Sequence, residues 1–219
     1  GVVTRQLAAT LPASATIVAT DLNPPMLEIA ASIGTSRPVE WRQADAMQLP
    51  FADETFDAVV CQFGVMFFPD KAQAFAEARR VLAPGGILLF NVWDRVEENE
   101  FTEVITAAMA SMFPDDQPWF MTRIPHGYFD RDAIRRDLAD GGFTREPAIS
   151  TVAMRSHAES ARVAAIAFCQ GTPLRNEIEA RDAARLDEAT DVATAAIARR
   201  FGRGPVDGGI QAHVVAIER

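Results

Sequence analysis

The stretch "ATDLNPPMLEIA", residues 19–30, sets the architecture. The apolar run "TIVAT" (16–20) ends in an acid, Asp21. Asn23 and two prolines then open a helical periodicity over 24–33, with Asn23 at the N-cap and Pro24 at the first position. A carboxylate where a strand gives way to a helix is well placed to bind a ribose. Its other reading is a solvated turn. On the N-terminal side, "GVVTRQLAATLP" reads as a helix over 2–11 with Val3, Leu7 and Leu11 on one face. On the other side come strands at 39–44 ("VEWRQA") and 56–62 ("FDAVVCQ"). A helix then starts at the Asp70 N-cap and stops at Pro84-Gly85-Gly86, and the strand "ILLFNVW" follows at 87–93. This alternation, with nearly continuous apolar strands, predicts an α/β fold: a Rossmann-like, doubly wound, mostly parallel sheet with helices on both faces.

The second half changes character. A helix is expected at 100–112, followed by a loop rich in Pro, Asp, Phe and Trp, a helix opened by Asp130, and a strand near 144–154. Helices are expected over 156–200, the first opened by a capping box of Ser156 and Glu159. After the turn "GPVDGG" the last strand runs over 210–218. The reading is one domain over 1–219. Its core is 1–94, 130–155 and 205–219, and its helical cap is built from insertions 95–129 and 156–204.

Composition narrows the partners. The chain has 219 residues and a net charge of −9, which repels nucleic acid and anionic membranes. No apolar run reaches the length of a membrane span. The two cysteines, Cys61 and Cys169, lack CxxC spacing, so no metal site and no disulfide framework is expected and a cytoplasmic setting is. Small-molecule or protein partners are favoured.

In doubly wound sheets ligands bind at the carboxyl ends of the strands. Asp21 ends one strand, Asp45 follows the next, and Gln62 and Phe63 end a third, so all fall on one edge. Gly1 lies 20 residues before Asp21, the spacing of a glycine at a helix start and a ribose acid. That spacing fits NAD as well as other adenosyl ligands.

The order "RQADAMQLPFADETFDAVVCQFGVMFFPD" (42–70) and then "RRVLAPGGILLFNVWD" (79–94) resembles the class I S-adenosylmethionine-dependent methyltransferases, within them the type 11, ubiquinone/menaquinone-biosynthesis-like group. The resemblance covers roughly 1–94. It implies S-adenosylmethionine as methyl donor and ends the fold in an antiparallel strand beside the fifth. Asp21 then matches the acid that binds both ribose hydroxyls, and Leu22 and Met26 match apolar contacts to adenine. Asp45 matches the acceptor for the adenine amino group, and Ala46 offers a backbone N–H to the ring. Gln62 and Phe63 lie near the methionine moiety, and Gly1 matches the last glycine of the glycine-rich loop. The family's first strand and the rest of that loop are not in the sequence given, and they are expected upstream of Gly1.

For acid–base work on an acceptor the candidates are His126, in "RIPHGYFD", and Asp94, at the end of the strand 87–93. Each also has an ordinary reading, as a loop residue and a cap. His157 is expected on the surface at a helix start. His213, alternating with Gln211 and Val215, is expected to be structural. Two rival functions stand beside methyl transfer: an NAD-dependent oxidoreductase, and a binding module of the same fold without catalysis.

Overall fold

A computed structural model describes residues 1–219. Helix α1 (Val2–Thr10), strand β1 (Val18–Asp21), helix α2 (Pro24–Ile33) and strand β2 (Glu40–Gln43) come first. Strand β3 (Phe56–Gln62), helix α3 (Lys71–Val81) and strand β4 (Leu82–Trp93) follow. Helices α4 (Glu100–Met112), α5 (Phe120–Arg123) and α6 (Arg131–Asp140) lead to strand β5 (Ala148–Ala158). Helices α7 (Ala161–Cys169), α8 (Leu174–Asp182) and α9 (Leu186–Phe201) precede the last strand, β6 (Val206–Glu218).

The strands form two sheets where one doubly wound sheet was expected, and the second is mixed through its last strand, the one expected to be antiparallel. β1 and β2 form a parallel pair of their own, and β3-β4-β6-β5 form a second sheet. β3 and β4 are parallel, but β6 lies between β4 and β5 and runs against both. One antiparallel strand inserted between two others makes two antiparallel ladders, so half of the four pairings are antiparallel. Its place beside β4 is the one expected for the last strand.

Local signals explain most element ends. Asp70 caps α3 by accepting from the Gln73 N–H, and Asp130 caps α6 by accepting from Asp132 and Ala133. α3 stops at Val81, and Leu82 already pairs with Phe56. The Pro84-Gly85-Gly86 step is a bulge inside β4, with Gly85 at φ 78°, a conformation that favours glycine.

β5 and β6 both run further than expected. Ser156, His157 and Ala158 pair with Gly208, Asp207 and Val206. "GPVDGG" is therefore largely strand, and the Ser156/Glu159 capping box does not form. The next helix begins at Ala161, with Ser160 accepting from the Val163 N–H. Strand pairing across a long insertion has overridden local turn and cap chemistry. His157 is exposed as expected, but on a strand, with Nδ1 3.1 Å from Asp207 Oδ2.

Two apolar clusters hold the molecule together. One gathers Phe75 of α3, Leu82 and Phe90 of β4, Ile134 and Leu138 of α6, and Val215 of β6. Each such side chain stabilises by about 1.5–3 kcal/mol relative to exposure. α3 and α6 meet closely at Gly141, where a Cβ would lie 2.6 Å from that of Phe75. The other cluster joins α4, α5, α7, α8 and α9, around Phe101, Ile105, Met109, Leu174, Ile178 and Ile197. The opposite face of the second sheet is open: Val60, Ile87, Leu89, Val152 and Met154 are exposed. No helix is long and apolar enough to cross a membrane.

Candidate active site

β1 and β2 are parallel, and their register sets Asp21 opposite Gln43, two residues before Asp45. The Ala44 N–H donates to the Asp21 carbonyl at 3.1 Å, and Gln43 Nε2 donates to the Leu22 carbonyl at 3.0 Å. The two acids therefore stand at one edge. Each spends one oxygen on its own turn: Asp21 Oδ1 accepts from the Asn23 N–H and Asp45 Oδ1 from the Met47 N–H, both at 2.9 Å. Neither Oδ2 makes a hydrogen bond within the protein. Asp21 is exposed, and so are Leu22 (64%) and Met26 (54%) beside it. Two apolar side chains held in solvent next to a carboxylate suit a ligand with a polar edge and a flat apolar body.

The loop that carries Asp45 and Ala46 is braced by α3. Arg80 donates to the carbonyls of Leu49 and Phe51 and to Asp53 and Glu77, while Glu77 Oε2 accepts from the Leu49 N–H at 2.8 Å. Hydrogen bonding to Arg80 holds the Glu77 carboxyl below its usual range, against the opposing effect of burial. Arg80→Ala should free the loop and weaken adenosyl-ligand affinity on the order of tenfold, read by calorimetry. Unchanged affinity would separate the loop from the binding edge.

At the end of β3, Gln62 is exposed and Phe63 has φ 51°, uncommon for a residue with a side chain. Its N–H is held by Asn91, by the carbonyl at 3.2 Å and Oδ1 at 3.0 Å. Its ring stacks on Trp93 with centroids 3.9 Å apart. Gly1 is set back: it packs on Ala30, six residues or about 9 Å down α2 from Pro24.

His126 and Asp94 come together. Both are buried, and His126 Nδ1 lies 2.8 Å from the Asp94 carbonyl oxygen. The Asp94 carboxylate is fully engaged. Oδ1 accepts from the Arg95 N–H at 2.7 Å and lies 3.4 Å from His213 Nε2, and Oδ2 accepts from Gln211 Nε2 at 2.7 Å. Burial opposes its charge, but the Gln211 amide, the Arg95 N–H and His213 outweigh burial and hold the carboxyl below its usual range. His213 Nδ1 meets Thr151 Oγ1 at 3.0 Å. Asn99 ties the same corner, donating to Asp94 and Gln211 carbonyls and accepting from the Gln211 N–H. Asn91, Trp93, Gln211 and Asn99 were not anticipated. Asn91 could have been found, as the one polar side chain inside "ILLFNVW".

Burial pushes both His126 and His213 below the usual histidine value of 6.5, so each is neutral at pH 7 and the His213–Asp94 contact is not an ion pair. A folded-state pKa below the unfolded one means the unfolded chain binds more protons. Stability is then complete above about pH 6.5 and falls as pH drops below it. Asp94 adds a second loss below about pH 4. Urea midpoints from pH 7.5 to 4.5 should decline, and less so in His213→Gln. A midpoint constant to pH 5 would contradict this.

Residues 1–90 match the family model described as "Methyltransferase domain". This part of the chain is similar to methyltransferase domains. The chain is 48% identical over 77 residues to the demethylmenaquinone methyltransferase of Thermus thermophilus, covering 34% of this chain and 35% of that protein. The ubiquinone/menaquinone biosynthesis C-methyltransferase of Pseudomonas aeruginosa is 28% identical over 158 residues, 66% of this chain and 62% of that one. The chain spans 35%, 37% and 31% of the length of three demethylmenaquinone methyltransferases that it matches. The fold agrees with a solved candidate methyltransferase from Bacillus halodurans, at a TM-score of 0.59 and 20% identity, over 100% of this chain and 87% of that one. Asp21, Asp45 and Phe63 lie within the residues that match this family model, while Asp94, His126 and His213 lie outside them.

Proposed function

We propose that the protein transfers a methyl group from S-adenosylmethionine to a small-molecule acceptor. The observation that carries this reading is the pair Asp21 and Asp45 at one parallel-strand edge, each with an oxygen left for a ligand. In this reading Asp21 binds the ribose hydroxyls, Leu22 and Met26 pack on adenine, and Asp45 accepts from its amino group while the Ala46 N–H faces the ring. Gln62 and Phe63 border the methionine end. Gly1 opens α1 behind that end, as the close of a glycine-rich loop in a Rossmann-like arrangement. The donor supplies a methyl already activated on a sulfonium, so the protein's work is to align an acceptor behind it and keep water out.

The helical cap over 95–129 and 156–204 is the acceptor's cover, attached to a core of 1–94, 130–155 and 205–219. Two free cysteines, Cys61 and Cys169, support a reducing, cytoplasmic setting. The net charge of −9 favours a small molecule over a polyanion.

Calorimetric titration of S-adenosylhomocysteine into the full-length natural protein, with NAD as control, tests the reading. Binding of S-adenosylhomocysteine alone is expected. Binding of NAD alone, or of neither, would overturn it.

A further inference from the structure

The geometry points to His126 Nε2 as the proton acceptor for the methyl acceptor, with Asp94 as the residue that positions it; this inference rests on the methyl-transfer reading. The bond between Nδ1 and the Asp94 carbonyl, at 2.8 Å, fixes the ring's tautomer. A carbonyl only accepts, so Nδ1 carries the hydrogen and Nε2 presents a lone pair. Nε2 has no hydrogen-bond partner within the protein. Nor is it one of the sealed, unpartnered polar atoms, which belong only to Arg5 and Thr106. The small exposed part of His126, 4% of the residue, therefore includes Nε2.

Its position matches the role. Trp93 ends β4, stacks on Phe63 on one side, and has its ring centroid 6.1 Å from that of His126 on another. The imidazole thus sits at the carboxyl edge of the sheet, one aromatic ring from the end of β3, on the inner side of the cap segment 95–129 that carries it. The carbonyl that holds it cannot wander. Its own carboxylate is locked by Gln211 and the Arg95 N–H, and Asn99 Nδ2 donates to the same carbonyl at 3.3 Å. Asp94 therefore acts through its backbone, and its side chain has no oxygen to spare for a substrate.

The chemistry this allows selects an acceptor that must lose a proton at neutral pH, a hydroxyl or an acidic C–H, rather than a thiolate or a free amine. The acceptor's bond to hydrogen breaks and its proton passes to Nε2. The electron pair forms the bond to the methyl carbon, and the methyl–sulfur bond breaks with its pair going to sulfur. The products are the methylated acceptor, S-adenosylhomocysteine and an imidazolium that returns its proton to water.

The test uses full-length protein labelled at histidine with ¹⁵N, titrated by NMR with saturating S-adenosylhomocysteine and again with S-adenosylmethionine. The two ligands differ by the methyl and its positive charge. His126 is expected unprotonated at Nε2 at pH 7, and a sulfonium beside it should lower its protonation constant about fivefold relative to the homocysteine complex. Asp94 and Glu97 are the charged groups acting on His126, and they are common to both complexes. The assignment of the His126 signal is separated from that of exposed His157 by His157→Gln. An Nε2–H tautomer, or equal constants in the two complexes, would overturn the assignment while leaving methyl transfer standing. Failure of S-adenosylhomocysteine to bind would overturn methyl transfer and this inference with it. His126→Gln should bind S-adenosylhomocysteine within twofold of the parent, and a large loss would place His126 in cofactor binding instead.

Discussion

Asp21→Ala is expected to weaken S-adenosylhomocysteine binding at least about a hundredfold while leaving the thermal midpoint nearly unchanged. A ribose diol on one carboxylate makes two charge-assisted hydrogen bonds, each worth roughly 1.5–3 kcal/mol, and about 3 kcal/mol is already more than a factor of a hundred. The structural cost is small. Asp21 is exposed, and its bond within the protein is the one from the Asn23 N–H, which water can replace. Asp45→Ala should weaken binding less, since an adenine amino group offers one such bond where the diol offers two. Calorimetry with circular dichroism as the folding control reads both. Parent-like affinity in Asp21→Ala would remove the ribose from this edge.

Asp94→Ala should do the reverse and strike the fold. Asp94 is 6% exposed, and its carboxylate serves the Arg95 N–H, Gln211 and His213 at once. Deleting it strands these partners in a buried corner at a cost of about 2–4 kcal/mol. In a chain of this size that lowers the thermal midpoint on the order of 10 °C. Asp94→Asn keeps an oxygen and the shape, and should lose less. A midpoint for Asp94→Ala equal to the parent's would mean that the corner is wet and the carboxylate solvated.

The contrast between these two acids shows what was legible in the sequence. Asp21 could be placed because strand, acid and helix follow one another within a dozen residues, and Asp45 because it closes a strand in a turn of its own, so local rules fix where each carboxylate goes. The same holds for Asp70 and Asp130 as caps and for the bounds of the 100–112 helix. Asp94 was legible as a residue at the right edge but not in its role, because its partner Gln211 lies 117 positions away. His213 was rightly read as facing one side of a strand with Gln211, yet nothing local could say that Asp94 faced it. The separation into two sheets was not legible for a related reason. Which strands become neighbours leaves no trace in any one strand, and the antiparallel direction of β6 follows from the family resemblance alone. The run from Ser156 to Ala158 shows the same competition: a plausible capping box yields to strand partners brought from beyond three helices.

Those last pairs have an evolutionary corollary. Ala158 and Val206 face each other across a ladder, so the segment 159–205 leaves and rejoins the molecule at a single point. An insertion whose ends are already neighbours adds little closure entropy whatever its length or content, and the strands beneath it keep their register. Lineages can therefore exchange the whole helical segment without disturbing the edge that holds Asp21 and Asp45. On the methyl-transfer reading, new substrates are reached by grafting on top of a retained base rather than by remodelling it.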